Sequence, residues 1–236
     1  MKAETETIGV VIPVYTGERY LDQAIRSVLS QEVDAGIETV VVIDGATDRS
    51  AEIAQGYADN GVSILKHFVN RGISAARNTG LALLSTDYLA FIDADDIWPA
   101  CRLQSMIDAL RANPDVGQCF GMMTEFLCPE ISEERQATLR HNAKPQTAYC
   151  AAGSLSRASV FEKVGGFDEA LAVGEYIDWY ARAQHLEISH LVVPDLVLKR
   201  RIHGANFTVR NKSNKQGYGT LLKHALDRKR AAANGV

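Results

Sequence analysis

At 236 residues the chain is long enough for one substantial hydrophobic core, so one domain, or one domain with a subdomain, is the expected organisation. Apolar residues make up 46% and charged residues 23%, ordinary for a soluble globular protein, and the net charge of -4 gives no sign of a nucleic-acid or other polyanionic partner. Cys101, Cys119, Cys128 and Cys150 form neither a CxxC pair nor a zinc-like spacing, which fits a reduced, cytoplasmic setting. No apolar run approaches the ~20 residues that span a bilayer. The start "MKAETETIG" is too polar for a signal peptide.

The first half alternates strand and helix patterns. "IGVVIPVY" is an apolar strand, and "RYLDQAIRSVLSQ" repeats apolar residues at helical spacing. "IETVVVID" is the next strand, followed by a helix expected from Asp48 to Ala58. "VSILKH" is a third strand, and "SAARNTGLALLS" a helix with Ser74 as its N-cap. "YLAFID" is a fourth strand, and "ACRLQSMIDALRANP" a helix that stops before Pro114. Continuous apolar strands separated by helices indicate an α/β fold, a doubly wound and mostly parallel sheet covered on both faces.

The second half is less regular. "VGQCFGMMTEFL" has strand character, while residues 129–147 read as a polar loop or mobile helix. "GEYIDWYARAQH" is helical and "DLVLKRRIHG" a late strand. The tail "GYGTLLKHALDRKRAAA" is a basic helix candidate, read first as solvated and second as docked peripherally on a membrane surface.

Chemistry-bearing residues gather where these strands end. The first strand runs into "PVYTGER", the second into "DGATD", the third leads to "NRG" and the fourth to "DADD". In open α/β sheets, ligands bind outside the carboxyl ends of the strands. Clustered carboxylates such as Asp93 and Asp95 repel one another unless a cation or a hydrogen-bond network offsets the repulsion, and they suit a hard divalent ion. Each residue also has a structural alternative. Asp95 and Asp96 are candidate caps of the following helix, Asp44 a turn residue, Arg71 a surface ion pair and Tyr15 a half-buried aromatic.

Five segments together, "VVIPVYTGERYLDQAIRSVLSQ", "VVIDGATDRSAEIA", "NRGISAARNTGL", "LAFIDADDIWP" and "GGFDEAL", resemble the family 2 glycosyltransferases of GT-A fold, in order from about Ile8 to His203. The resemblance implies a Rossmann-like GT-A domain over residues 1–236, with a nucleotide-sugar-binding half at about 8–98, an acceptor half at about 99–210 and a C-terminal basic helix at about 216–233. It implies metal-dependent transfer, with inversion, from a nucleoside diphosphate sugar, read as UDP-linked, to a glycan, lipid-linked or peptide acceptor. Pro13, Val14, Tyr15 and Glu18 would then line the nucleotide pocket, Asp44 would accept a hydrogen bond from the base, and Arg71 and Asn78 would sit near the base or diphosphate. Asp93 would face the ribose, Asp95 would bind Mn2+ or Mg2+, and His203 would close over the metal or diphosphate beside "KRR".

One departure stands out. The family usually carries a Glu-Asp pair after "GGFDE", whose Asp is the general base; here Glu175 is followed by Tyr176, and an Asp returns only at Asp178. Helical spacing puts Glu175 and Asp178 on one face, and the expectation is Asp178 as base and Glu175 as acceptor-binding group. Two other classes compete: a catalytically silent nucleotide-sugar-binding protein, and a nucleotidyltransferase. The latter normally shows an early Gly-rich basic phosphate loop, in which "PVYTGERY" is poor.

Overall fold

A computed structural model describes residues 5–206, so the basic helix expected at about 216–233 lies outside the described residues. The expected first-half elements form as β1 (Thr7–Val14), α1 (Leu21–Leu29), β2 (Gly36–Asp44), α2 (Ser50–Gln55), β3 (Val62–His67), α3 (Ile73–Leu83), β4 (Tyr88–Phe91) and α4 (Arg102–Ala112). The helix expected from Asp48 to Ala58 is shorter, because Gly56 ends it and a 3-10 turn (Ala58–Asn60) follows. Ser74 is not the N-cap of α3; Gly72, with φ of 92°, takes that place, and Ser74 is buried in the first turn.

The second half adds β5 (Gln118–Leu127), α5 (Glu133–Thr138), β6 (Gln146–Thr147), β7 (Ser154–Arg157), α6 (Ala158–Val164), α7 (Glu175–His185) and β8 (His190–Ile202). β7 and α6 have no counterpart in the sequence reading, since "SLSR" offers no apolar run. β8 begins five residues before the expected Asp195. Pro194 is accommodated because β8 bulges there: Phe120 pairs with Val192 but Met122 with Leu196.

All eight strands join one mixed, mostly parallel sheet of order β3-β2-β1-β4-β7-β5-β6, with β8 parallel to β5. β7 is antiparallel to both β4 and β5. Helices α1, α2 and α4 cover one face through Leu21, Ile25, Ala54, Leu103 and Ile107. On the other, α3, α6 and α7 contribute Ala76, Val160, Phe161 and Trp179. Gly80 lets α3 press onto β1, since a Cβ there would stand 2.5 Å from Val11. No helix among the described residues is long and apolar enough to cross a membrane.

The loops at the carboxyl edge are set by close backbone approach. Gly45 adopts φ of 66°, and a Cβ on it would meet the backbone of Asn70 at 2.3 Å and of Val69 at 2.4 Å. Gly45→Ala is therefore expected to lower the unfolding free energy by about 2 kcal/mol or more, through both the left-handed backbone and the clash. Urea unfolding checks it; an unchanged midpoint would contradict the packing described.

Candidate active site

β1 and β4 are neighbours although β2 and β3 intervene in the chain, so the order of the sheet reverses at their seam. Such a seam opens a crevice at the carboxyl ends of its strands. Asp93, Asp95 and Asp96 lie there after β4, and Tyr15 to Arg19 after β1.

A buried arginine organises the acids. Arg77, its side chain 3% exposed, donates from Nη2 to Asp93 Oδ1 at 3.0 Å and from Nη1 to Glu175 Oε1 at 2.6 Å. Burial works against the guanidinium's charge, but Asp93 and Glu175 outweigh it and hold its pKa above the ordinary value. Desolvation pushes the Asp93 carboxyl up; Arg77 opposes this, and the charges of Asp95 and Glu175 add to the rise. Two carboxylates thus share one guanidinium, and Asp95 adds a further negative charge near Asp93, an excess that favours a cationic ligand.

Asp95 faces the other strand end. Its Oδ2 lies 2.9 Å from His203 Nε2 and accepts from Asn206 Nδ2 at 3.1 Å. Tyr20 packs on the imidazole with ring centroids 5.0 Å apart. A carboxylate oxygen and an imidazole nitrogen this close fit as neighbouring ligands of one divalent ion, which would replace the proton between them. No group of three or more His, Cys, Asp or Glu among the described residues is arranged to hold an ion alone. An ion held by Asp95 and His203 would therefore take further oxygens from solvent or from a bound phosphate.

"KRR" turns out to be mainly structural. Arg201 is buried; its Nε donates to the Asp95 carbonyl at 3.0 Å and its guanidinium stacks on Tyr20 and Phe126. Arg200 pairs with Glu125. Asp96 is buried and accepts from the Arg201 N–H, so it ties β8 to β4 rather than capping α4, whose N-cap is Cys101. Asp95 does not cap α4 either.

Several expected pocket residues are occupied with the protein itself. Asp44 is buried, hydrogen-bonded to His67 Nδ1 at 2.7 Å and to the backbone N–H groups of Arg71 and Gly72, both at 2.8 Å. It holds the β3–α3 loop, and is neither an open base-binding group nor a simple turn residue. The Arg71 side chain is half-exposed and pairs with Glu169. Asn78 clips the loop before α7: its Oδ1 accepts from the Phe167 N–H and its Nδ2 donates to the Phe167 carbonyl. Pro13 and Val14 are buried at the end of β1, leaving Tyr15, 52% exposed, at the rim. Glu18 accepts from the Arg49 N–H, and Asp48 accepts from the Glu18 N–H and from Ser50, which latches the β1–α1 and β2–α2 loops together. Burial opposes the charge on Asp48, but the Ser50 bonds and the Glu18 and Gly17 N–H groups hold its carboxyl below the ordinary value.

Glu175 and Asp178 separate in space. Glu175 joins Arg77 and Asp93, and its Oε2 has no partner among the described residues. Asp178, its side chain 2% exposed, is paired at 2.9 Å with Arg182, which also donates to the carbonyls of Val164 and Gly166. The expectation of Asp178 as base is corrected on this ground: it fastens α7 to the loop after α6. Tyr176, standing in the usual Asp position, is buried, and burial pushes its hydroxyl far above the ordinary range.

Sequence reading missed Arg77 and Asn206. Arg77 had a usable signal: it lies three residues after Ser74 and three before Gly80, on a small-residue helix face that packs on the sheet. An arginine there needs carboxylate partners. Asn206 carried no such signal.

The sequence pattern of Glycosyl transferase family 2 matches residues 9–161. The chain is 37% identical over 121 residues, half of its length, to the uncharacterized glycosyltransferase YibD of Escherichia coli (strain K12), covering 35% of that protein. It is 29% identical over 184 residues to the uncharacterized glycosyltransferase EpsJ of Bacillus subtilis (strain 168), covering 71% of this chain and 53% of that protein. The chain thus spans about a third to a half of these relatives. Among solved structures, S. aureus TarS 1-349 in complex with UDP-GlcNAc superimposes with a TM-score of 0.68 at 18% identity, covering 85% of this chain and 60% of that one. The mannosyltransferase PcManGT from Pyrobaculum calidifontis, in complex with GDP-Man and Mn2+, gives 0.68 at 18% identity, covering 95% and 65%. Both likenesses establish the GT-A fold.

Because the buried Asp44 accepts three hydrogen bonds that hold the β3–α3 loop, Asp44→Ala is expected to destabilise the ligand-free protein by about 1–3 kcal/mol. Thermal or urea unfolding checks this; wild-type stability would mean that the Asp44 bonds do not hold the loop.

Proposed function

We propose that this chain, which belongs to glycosyl transferase family 2, carries the donor site and the catalytic acids of an inverting, metal-dependent glycosyltransferase that uses a nucleoside diphosphate sugar, with a UDP-linked sugar as the first donor to test. The observation that carries the proposal is the acid cluster at the β1/β4 seam, in which Arg77 bridges Asp93 and Glu175 while Asp95 meets His203.

The reaction exchanges one bond at the anomeric carbon: the acceptor oxygen attacks as the bond to the diphosphate oxygen breaks. Asp95 and His203 would hold a divalent ion, which when bound offsets the charge developing on the leaving diphosphate. An imidazole beside a carboxylate favours Mn2+ over Mg2+, which prefers oxygen ligands. Glu175 takes the acceptor proton on Oε2, while Arg77 fixes the carboxylate through Oε1. Asp93, held by the same guanidinium, faces the donor. The buried Arg77 keeps two like charges together that would otherwise separate or take up protons.

A second reading, a nucleotide-sugar-binding protein without transfer, draws on the burial of both Tyr176 and Asp178. One comparison separates the two. Glu175→Gln keeps an oxygen for Arg77 but cannot take a proton, so turnover should fall by about 10²–10⁴-fold with donor affinity near wild type. Asp178→Asn should lower stability yet leave the turnover of the folded fraction within about a factor of three of wild type. Equal turnover in Glu175→Gln and wild type would remove Glu175 as base, and absence of transfer in the wild type across donors and acceptors would favour the binding protein.

The metal assignment has its own check. Asp95→Asn should weaken Mn2+-dependent binding of UDP by at least about tenfold, or ~1.4 kcal/mol, in calorimetry. An unchanged Mn2+ response would refute it.

A further inference from the structure

After β8 the chain turns at Gly204, with φ of 76°, and buries Asn206, which is 5% exposed. Both polar atoms of that side chain are engaged. Asn206 Oδ1 accepts from the His203 N–H at 2.9 Å, and its Nδ2 donates to Asp95 Oδ2 at 3.1 Å and to the Arg201 carbonyl at 2.7 Å. The two hydrogens on Nδ2 match two acceptors one to one. A reversed amide would set an oxygen against a carboxylate and a carbonyl, and N–H against N–H at His203. Only one orientation fits.

These bonds join the two groups that face each other at the strand ends. The Asp95 oxygen that takes the Asn206 bond is also the one 2.9 Å from His203 Nε2. Carboxylate, amide, turn and imidazole thus close one ring of contacts. The bonds to the His203 N–H and the Arg201 carbonyl suffice to brace the turn, so the third, to the charged Asp95, goes beyond bracing. His203 Nδ1 has no partner among the described residues, so no second polar contact orients the imidazole. Its face rests on Tyr20, which is itself fixed by the Arg201 guanidinium 4.6 Å from the ring and by Cys128 Sγ 3.2 Å from its hydroxyl. Holding the His203 backbone is left to Asn206.

We infer that Asn206 is a positioning residue of the donor site, orienting Asp95 and His203 toward a divalent cation without touching the cation itself. The inference rests on the metal reading above and adds the group that prepares the two ligands. An ion that separates His203 Nε2 from Asp95 Oδ2 leaves the Asn206 bond in place, so the carboxylate keeps its direction. An amide does this without adding charge. A lysine in its place would compete with the cation, and an acid would repel Asp95.

Pulsed EPR of the intact chain with UDP and Mn2+ reads imidazole nitrogen bound to the ion, with His203→Ala marking its absence, while calorimetry reads Mn2+ affinity. The wild type should show the nitrogen coupling. Asn206→Ala should bind Mn2+ about 10- to 100-fold more weakly, the usual cost of losing a partner of a metal ligand, and show a weaker coupling. Urea unfolding without metal measures the purely structural effect. Asn206→Leu, similar in shape but without polar atoms, serves as the second variant where alanine leaves too little folded protein. Wild-type affinity and coupling in either folded variant overturn the inference, whatever the loss of stability. Absence of nitrogen coupling in the wild type with UDP and Mn2+ bound removes His203 as a ligand, and the metal reading falls together with this inference; coupling that survives in the variants removes the inference alone.

Discussion

One buried guanidinium holds this site together. Arg77 is charged, out of water, and shared between Asp93 at the end of β4 and Glu175 at the start of α7. Removing one member of a buried ion pair leaves an uncompensated charge, a cost of about 3–5 kcal/mol in comparable cases. Arg77 therefore couples the first half of the chain to the second. It also lets an acid cluster exist before any cation arrives. The guanidinium leans on Phe91 and Phe167, so the apolar core sets where the charges stand.

Around that pair, residues that look like ligand contacts serve as fasteners for the residues that can be contacts. Asp44 and His67 set the β3–α3 loop, Asn78 clips the loop at Phe167, and Arg201 braces the Asp95 carbonyl. Asp48 and Ser50 join the two loops beside the crevice. Polar side chains buried this way stay only when their bonds are made, which gives them a structural reason to be present. At the edge Tyr15 and Asp93 stay open, with Asp95, His203 and Glu175 partly exposed beside them.

The sheet was legible from sequence because its central strands are unbroken apolar runs; "VVIP", "TVVVI" and "YLAFI" have no other stable use than a sheet covered on both faces. β7 was not, since Ser154 and Ser156 are buried by neighbouring strands rather than by hydrophobicity of their own. The place of Asp93 and Asp95 at the end of a strand pointed to the crevice, and the family resemblance implied that His203 would join them; in the structure His203 meets Asp95. The division of labour between Glu175 and Asp178 could not be anticipated. Both belong to the first turn of α7, and only the partners on either side, Arg77 and Arg182, decide which carboxylate faces the crevice. Arg71 was read in place of Arg77 because an arginine in a glycine loop draws notice, whereas one on a helix face of alanine and glycine has to be inferred from packing.

The account turns on one claim, that nucleotide and cation meet at the β1/β4 seam between Asp95 and His203. Crystals grown with UDP and MnCl2, measured at the manganese absorption edge, test it directly. The account predicts an anomalous peak within bonding distance of both Asp95 Oδ2 and His203 Nε2, touching the diphosphate. A bound UDP with manganese elsewhere, or with none at that seam, would contradict it.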